Sequence, residues 1–177
     1  APDMPFYYVQ IAPYKYEKSS NTGAALLREA QMEALKTIPN SGMVPTTDIG
    51  DEFCIHPPQK DVVGLRLATL ALTKTYGIRR LPSNGPTMTK VDYADKKAIV
   101  TFDNAPAGLF PTFSELEGFE IAGADKKFYP AKAKIVGRTN TVEVWSEEVA
   151  QPVAVRYAFR NYVGNITLRN TFGLSAF

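Results

Sequence analysis

The chain has a single cysteine, a single histidine and a single tryptophan in 177 residues. One Cys excludes an internal disulfide framework and any Cys-based zinc cluster. One His excludes a multi-His metal site within one copy of the chain. An excess of one charge is also missing: 20 Lys and Arg face 18 Asp and Glu, for a net charge of +2. The balance holds along the chain, with nine basic and eight acidic groups in residues 1–80 and eleven and ten in the remainder. No basic face gathers, so nothing favours a nucleic acid or an anionic membrane as partner. No apolar run approaches the roughly 20 residues of a membrane span, and no signal-peptide pattern follows Ala1. What is present is a 45% hydrophobic, 21% charged composition, that of a globular soluble protein able to bury a core as one domain or two.

Two grammars follow one another. Pro5 to Ala12 (PFYYVQIA) is a nearly continuous apolar and aromatic run ended by Pro13, as in a strand buried on both faces. Gly23–Ile38 is rich in Ala, Leu, Glu, Met and Lys. Leu26, Ala30 and Ala34, with Leu27 and Leu35 alongside, recur at helical spacing, with Asn21 or Thr22 as cap. Gly42–Ile49 reads as a second short strand despite Pro45. A helix is expected from about Pro58 to Tyr76, stopped by Gly77, with Val63, Leu67, Leu70 and Ala71 on one face and Leu65 and Leu72 widening it. Strand, helix, strand, helix is α/β grammar. Beyond Leu81–Gly85 only strands follow: a hairpin over Thr87–Tyr93 and Ala98–Phe102, then Gly118–Ala122, Lys127–Val136, Thr141–Trp145 and Pro152–Arg160. In the last, Val153, Val155, Tyr157 and Phe159 alternate with Ala154, Arg156, Ala158 and Arg160, the period of a half-buried strand. The expected organisation is an α/β region at 1–80 and an antiparallel β-sandwich at 81–177.

His56 alone has an unperturbed pKa near neutrality, which makes it the natural general acid–base candidate. It follows a strand and precedes a helix, where open α/β sheets collect their active sites. Filling a loop and bonding a carbonyl is the competing reading. For an orienting group, Glu52 lies four residues upstream, Asp51 five and Asp48 eight. A nucleophile is harder to find. No Gly-x-Ser-x-Gly elbow occurs; Ser41 and Ser83 sit in turns, and Ser19 and Ser20 in a polar loop. Cys54 is expected to point away from His56 as a small buried side chain. The residues supply a base and no convincing nucleophile.

An ordered series of segments resembles the sialate O-acetylesterase family, which belongs to the SGNH-type serine esterases. It comprises Phe6-Tyr7-Tyr8-Val9-Gln10-Ile11-Ala12-Pro13, Leu27-Arg28-Glu29-Ala30-Gln31, Pro39-Asn40-Ser41-Gly42-Met43 and Asp48-Ile49-Gly50. Ile55-His56-Pro57, Lys60, Val63-Gly64 and Arg66-Leu67-Ala68 continue it, then Gly118–Asp125 and Val153–Tyr157, so that it covers nearly the whole chain. The resemblance implies the C-terminal part of an SGNH-type α/β hydrolase sheet followed by a β-sandwich accessory domain. It implies His56 as catalytic base. It also implies a serine and first oxyanion elements upstream of Ala1, so that the N-terminal portion of the same protein is a required partner and the chain alone is inactive. SGNH esterases commonly place an Asp three residues before the His. Here Phe53 stands there, which makes Asp51 the first choice of orienting residue and Glu52 the second. The implied reaction is hydrolysis of O-acetyl esters of sialic acid, with no cofactor and no metal, in a periplasmic or secreted setting. Acetylated xylan or another glycan is an open alternative. So is a non-catalytic carbohydrate-binding module using Trp145, Tyr129 and Tyr162. Arg28, Gln31 and Arg156 are expected to serve structure.

Overall fold

The computed structural model describes residues 3–79 and 81–177. Two units emerge from the packing: unit 1 comprises residues 1–84 and Arg160–Val163, and unit 2 comprises Gly85–Phe159 and Gly164–Phe177. The sequence reading divides the chain at 80/81; here the division falls at 84/85, and four residues from late in the chain rejoin unit 1.

Unit 1 contains β1 (Phe6–Val9), α1 (Gly23–Ala34), β2 (Ser41–Val44) and α2 (Lys60–Lys74). The two strands pair in parallel, Phe6 opposite Ser41 through Val9 opposite Val44. Parallel strands need a crossover between them, and the Ala- and Leu-rich α1 supplies it. All four residues of β2 are buried. On α2 Leu70 is fully buried beside Arg66 and Val63, Leu67 and Ala71 are half-buried, while Leu65 and Leu72, expected to widen that face, are exposed. Gly77, at φ +66°, takes the left-handed conformation beyond the helix end that a side chain would strain. The apolar face expected for α1 is not the buried one. Ala24, Ala25 and Arg28 are buried, while Leu26 and Leu27 are about half exposed, at 53% and 48%.

Unit 2 is built from antiparallel sheets. Its four-stranded sheet has the order β3 (Thr87–Ala94), β4 (Lys97–Asp103), β9 (Thr141–Trp145), β8 (Lys132–Ile135). Asp95 and Lys96 both have positive φ, as a two-residue primed turn between β3 and β4 requires. The three-stranded sheet has the order β10 (Ala154–Tyr157), β6 (Phe119–Ala122), β7 (Phe128–Pro130), and β5 (Leu109–Phe110) pairs with β11 (Arg169–Asn170). Alternation sets the core: Ala98, Val100 and Phe102 of β4 and Val142 and Val144 of β9 face inward with Phe119 and Ile121 of β6 in one buried cluster. The long strand expected at 127–136 is broken at Ala131 into β7 and β8, and β5 and β11 are too short to leave a periodic signal. The expected strand 152–160 is reduced to β10: Val153 is exposed, and Ala158, at φ +50°, turns the chain. The chain is thus mixed α/β with mostly antiparallel sheets. Among the described residues no helix is long and apolar enough to cross a membrane.

Candidate active site

The site lies beyond the carboxyl ends of the two parallel strands, where β2 runs into the loop 45–59. That loop is tied at both ends. The hydroxyl of buried Thr46 donates to the Gln10 carbonyl at 3.0 Å, and the Gln10 amide donates to Val44 O at 2.9 Å, so the strand ends are joined crosswise. Arg66 of α2 reaches back and grips Asp48 with both amino groups, Nη1 to Oδ1 at 2.8 Å and Nη2 to Oδ2 at 2.6 Å, and also donates to Pro45 O. A bidentate pair between a buried guanidinium and a largely buried carboxylate fixes orientation as well as distance. Gly50 follows, packed so tightly that a Cβ there would collide with the Pro13 carbonyl. Asp51 N donates to that same carbonyl at 3.1 Å.

The next turn carries the candidates. Asp51 Oδ1 accepts from the amides of Phe53 and Cys54, both at 2.8 Å, a local side-chain turn. Glu52 points elsewhere: its Oε1 accepts from the Ser19 hydroxyl at 2.6 Å, and its carbonyl accepts from Lys15 N. His56 is exposed, and among the described residues its imidazole makes no hydrogen bond. The three candidates share one short loop, then, but neither Asp51 nor Glu52 is hydrogen-bonded to His56. Asp51 Oδ2 is uncommitted among the described residues, whereas Glu52 is engaged with Ser19. Asp48, the more distant alternative, belongs to Arg66. Cys54 departs from the reading of the sequence: it is exposed, and its thiol donates to the His56 carbonyl at 3.2 Å. Residues two apart in an extended segment face the same side, and Cys54 is exposed together with His56. Phe53, where the family motif has Asp, is exposed with the Lys15 ammonium 4.9 Å from its ring centre.

The supporting residues have structural partners. Gln31 Oε1 accepts from Ile11 N at 2.9 Å, and Arg28 Nη2 donates to Arg160 O at 2.6 Å. Burial holds the Arg28 guanidinium down to about 10, partly offset by Tyr16 nearby. Arg156 pairs with Glu120 of the neighbouring strand at 2.9 Å and lies over the Phe128 ring. Sequence reasoning did not single out Arg66 as the partner of Asp48, although both stand in the motif series. It also gave no weight to Asn161, because no local pattern marks a residue whose side-chain partners lie 137 to 146 positions away.

Two of the three aromatic side chains considered for sugar binding have lysine ammonium groups at their rings. Trp145 borders an open cavity of about 410 Å³ with Asp95, Lys96, Lys97 and Glu147. The ammonium groups of Lys97 and Lys134 lie 5.6 and 5.7 Å from its ring centre. Lys127 stands 4.8 Å from the ring of Tyr129, and Tyr162 is half-buried.

No family model matches the chain. Over 98% of its length it superposes on 40% of a solved carbohydrate acetylesterase from Xanthomonas citri, with a TM-score of 0.88 and 36% identity. It is also 25% identical over 173 residues to the sialate O-acetylesterase of Mus musculus, an alignment covering 90% of this chain and 31% of that protein. The chain therefore spans about a third of the curated relative's length and two fifths of the solved structure's. In fold and sequence the chain is similar to these two acetylesterases. The sialate O-acetylesterase family, which the motif series resembles, is the family these likenesses support.

Proposed function

We propose that this chain is the His-bearing C-terminal portion of a carbohydrate O-acetylesterase that removes acetyl groups from sialic acid. The observation that carries the reading is the likeness to the Xanthomonas citri acetylesterase over nearly the whole chain, with His56 exposed just beyond the carboxyl ends of parallel strands. In this reading unit 1 is the end of an SGNH-type α/β sheet and unit 2 a β-sandwich accessory domain. The nucleophilic Ser lies on an N-terminal portion of the same protein. The exposed Leu26, Leu27 and Leu65 support a covering element of that kind, since helices over a parallel sheet are normally buried on their apolar sides.

The chemistry follows from the groups. His56 takes the proton of the serine hydroxyl as its oxygen attacks the acetyl carbonyl. The tetrahedral intermediate collapses, His56 returns the proton to the departing sugar oxygen, and an acetyl-serine remains. Water, deprotonated by His56, then releases acetate and restores the serine. No side chain of this chain needs to change oxidation state, and no cofactor enters. Asp51 orients His56 through Oδ2 while Oδ1 holds the turn. Asp51→Asn keeps an acceptor for the turn and removes the charge. A fall in kcat with the turn intact is therefore expected if Asp51 orients the base, and no change if its role is the turn alone.

The substrate is tested by comparing initial rates on O-acetylated sialic acid and on acetylated xylan, using the protein that includes the serine-bearing portion. Faster release of acetate from sialic acid is expected. Preference for xylan would move the assignment to a plant-glycan esterase. A serine-directed organophosphonate should label the N-terminal portion and leave residues 1–177 unmodified.

A further inference from the structure

The chain leaves unit 2 at Phe159, contributes Arg160–Val163 to unit 1, and returns at Gly164. This four-residue strap is held far more densely than its length suggests. Asn161 is 4% exposed and uses every polar group it has. Its amide donates to Asn21 O at 2.6 Å, and its carbonyl accepts from Tyr14 N at 3.1 Å. Its Oδ1 accepts from Ala24 N at 2.8 Å, and its Nδ2 donates to Lys18 O at 3.1 Å and Lys15 O at 3.4 Å. On one side Arg160 Nη1 donates to Ser20 O; on the other Tyr162 N donates to Ser19 O. The Thr22 cap of α1 makes no side-chain hydrogen bond to the helix, so Asn161 serves an orphan donor of the first turn from 137 residues away.

Every partner but Ala24 and Arg28 lies in segment 14–21, and the His56 loop in turn rests on that segment and on Pro13 before it. Pro13 O accepts from Asp51 N, Lys15 N donates to Glu52 O, and Ser19 Oγ donates to the Glu52 carboxylate. The last is a hydrogen bond to a charged acceptor, the stronger kind. We infer that the Arg160–Val163 strap, centred on Asn161, is the positioning element of the His56 loop and acts through segment 14–21 and the Ser19–Glu52 hydrogen bond. Glu52 is then a positioning residue and not a partner of the imidazole. The inference rests on the reading of His56 as the catalytic base for its functional meaning, but its structural content is measured without catalysis.

The test is hydrogen exchange, followed by mass spectrometry, on peptides covering 50–56, 66–74 and unit 2. Ser19→Ala should speed exchange at 50–56 several-fold and leave 66–74 and unit 2 unchanged. Ser19→Thr, which keeps the hydroxyl, should restore protection. Asn161→Ala should speed the same peptide by about tenfold or more, as expected when several buried hydrogen bonds to one segment are lost. If Asn161→Ala does not fold, the Ser19 pair decides. Unchanged exchange at 50–56 in folded Ser19→Ala, or equal acceleration across all peptides, overturns the inference. In protein active on acetyl esters, Ser19→Ala should lower kcat with KM unchanged. Loss of activity in His56→Ala without any exchange response in Ser19→Ala would sink the strap and leave the base standing. The reverse pattern would sink the base and leave the strap.

Discussion

Unit 2 closes a hydrophobic core and unit 1 does not. In unit 2 the inward residues of β4, β8 and β9 meet those of β6 in one cluster, with Val100, Val142, Val144 and Ile121 wholly out of solvent. In unit 1 the buried apolar groups are few, chiefly Met43, Val44, Ile49 and Leu70, while Leu26, Leu27 and Leu65 stand on helix surfaces in solvent. Polar ties compensate: the Asp48–Arg66 pair, the crossed strand ends at Thr46 and Gln10, and the Asn161 strap. The difference teaches where each unit's specificity lies. Unit 2 is held by non-directional burial spread over many residues. The loop that carries His56 is held by a few directional bonds, each of which fixes a position.

The widest separation between the units should come from truncating their apolar side chains. Ile121→Ala, at a position with 0% exposure, is expected to cost about 2–5 kcal/mol, read as a lower urea midpoint with unchanged slope. Arg66→Met should follow at about 2–3 kcal/mol, because it strands the largely buried Asp48 carboxylate. Its effect should appear as faster hydrogen exchange in the 45–59 loop and α2, and Asp48→Asn in the same chain should recover part of it. A smaller effect is expected from Glu143, whose carboxyl is held below the ordinary carboxylate range by the Lys97 hydrogen bond and the nearby Lys134. A lowered carboxylate pKa contributes stability that is present above the ordinary value and lost as pH falls through the lowered one. Acid titration of unfolding should show that slope, and Glu143→Gln should remove it, with less than about 1 kcal/mol at stake at neutral pH for a partly exposed pair. Leu65→Ser should be the mildest, within about 0.5 kcal/mol, because the side chain is 69% exposed. A loss as large as that of Ile121→Ala would erase the contrast between the units.

The same contrast governs what could be read from sequence. The β3–β4 hairpin with its turn at Asp95-Lys96, the β9 strand and the α2 helix were legible because neighbours a few positions apart determine them. The α1 stripe misleads: Leu26, Ala30 and Ala34 are helically spaced, yet the strap-side residues Ala24, Ala25 and Arg28 are the buried ones. Ala24 and Arg28 hydrogen-bond Asn161 and Arg160, which arrive from more than 130 residues away. The place of His56 between a strand and a helix was legible from the sequence. Its surroundings were not: Asp51 folds the loop by accepting two amides two and three positions ahead, Cys54 is exposed, and Glu52 turns to Ser19.

The central claim is that His56 is the base of an ester hydrolysis and that its loop holds it in position. It is tested most directly by His56→Ala in the protein carrying the serine-bearing portion, measured as acetate release from O-acetylated sialic acid. Because the imidazole makes no hydrogen bond among the described residues, the variant should unfold at the same urea concentration as the parent. Hydrolysis should fall by at least about a thousandfold, as when a catalytic triad loses a member. Full activity in a folded His56→Ala protein would contradict the account.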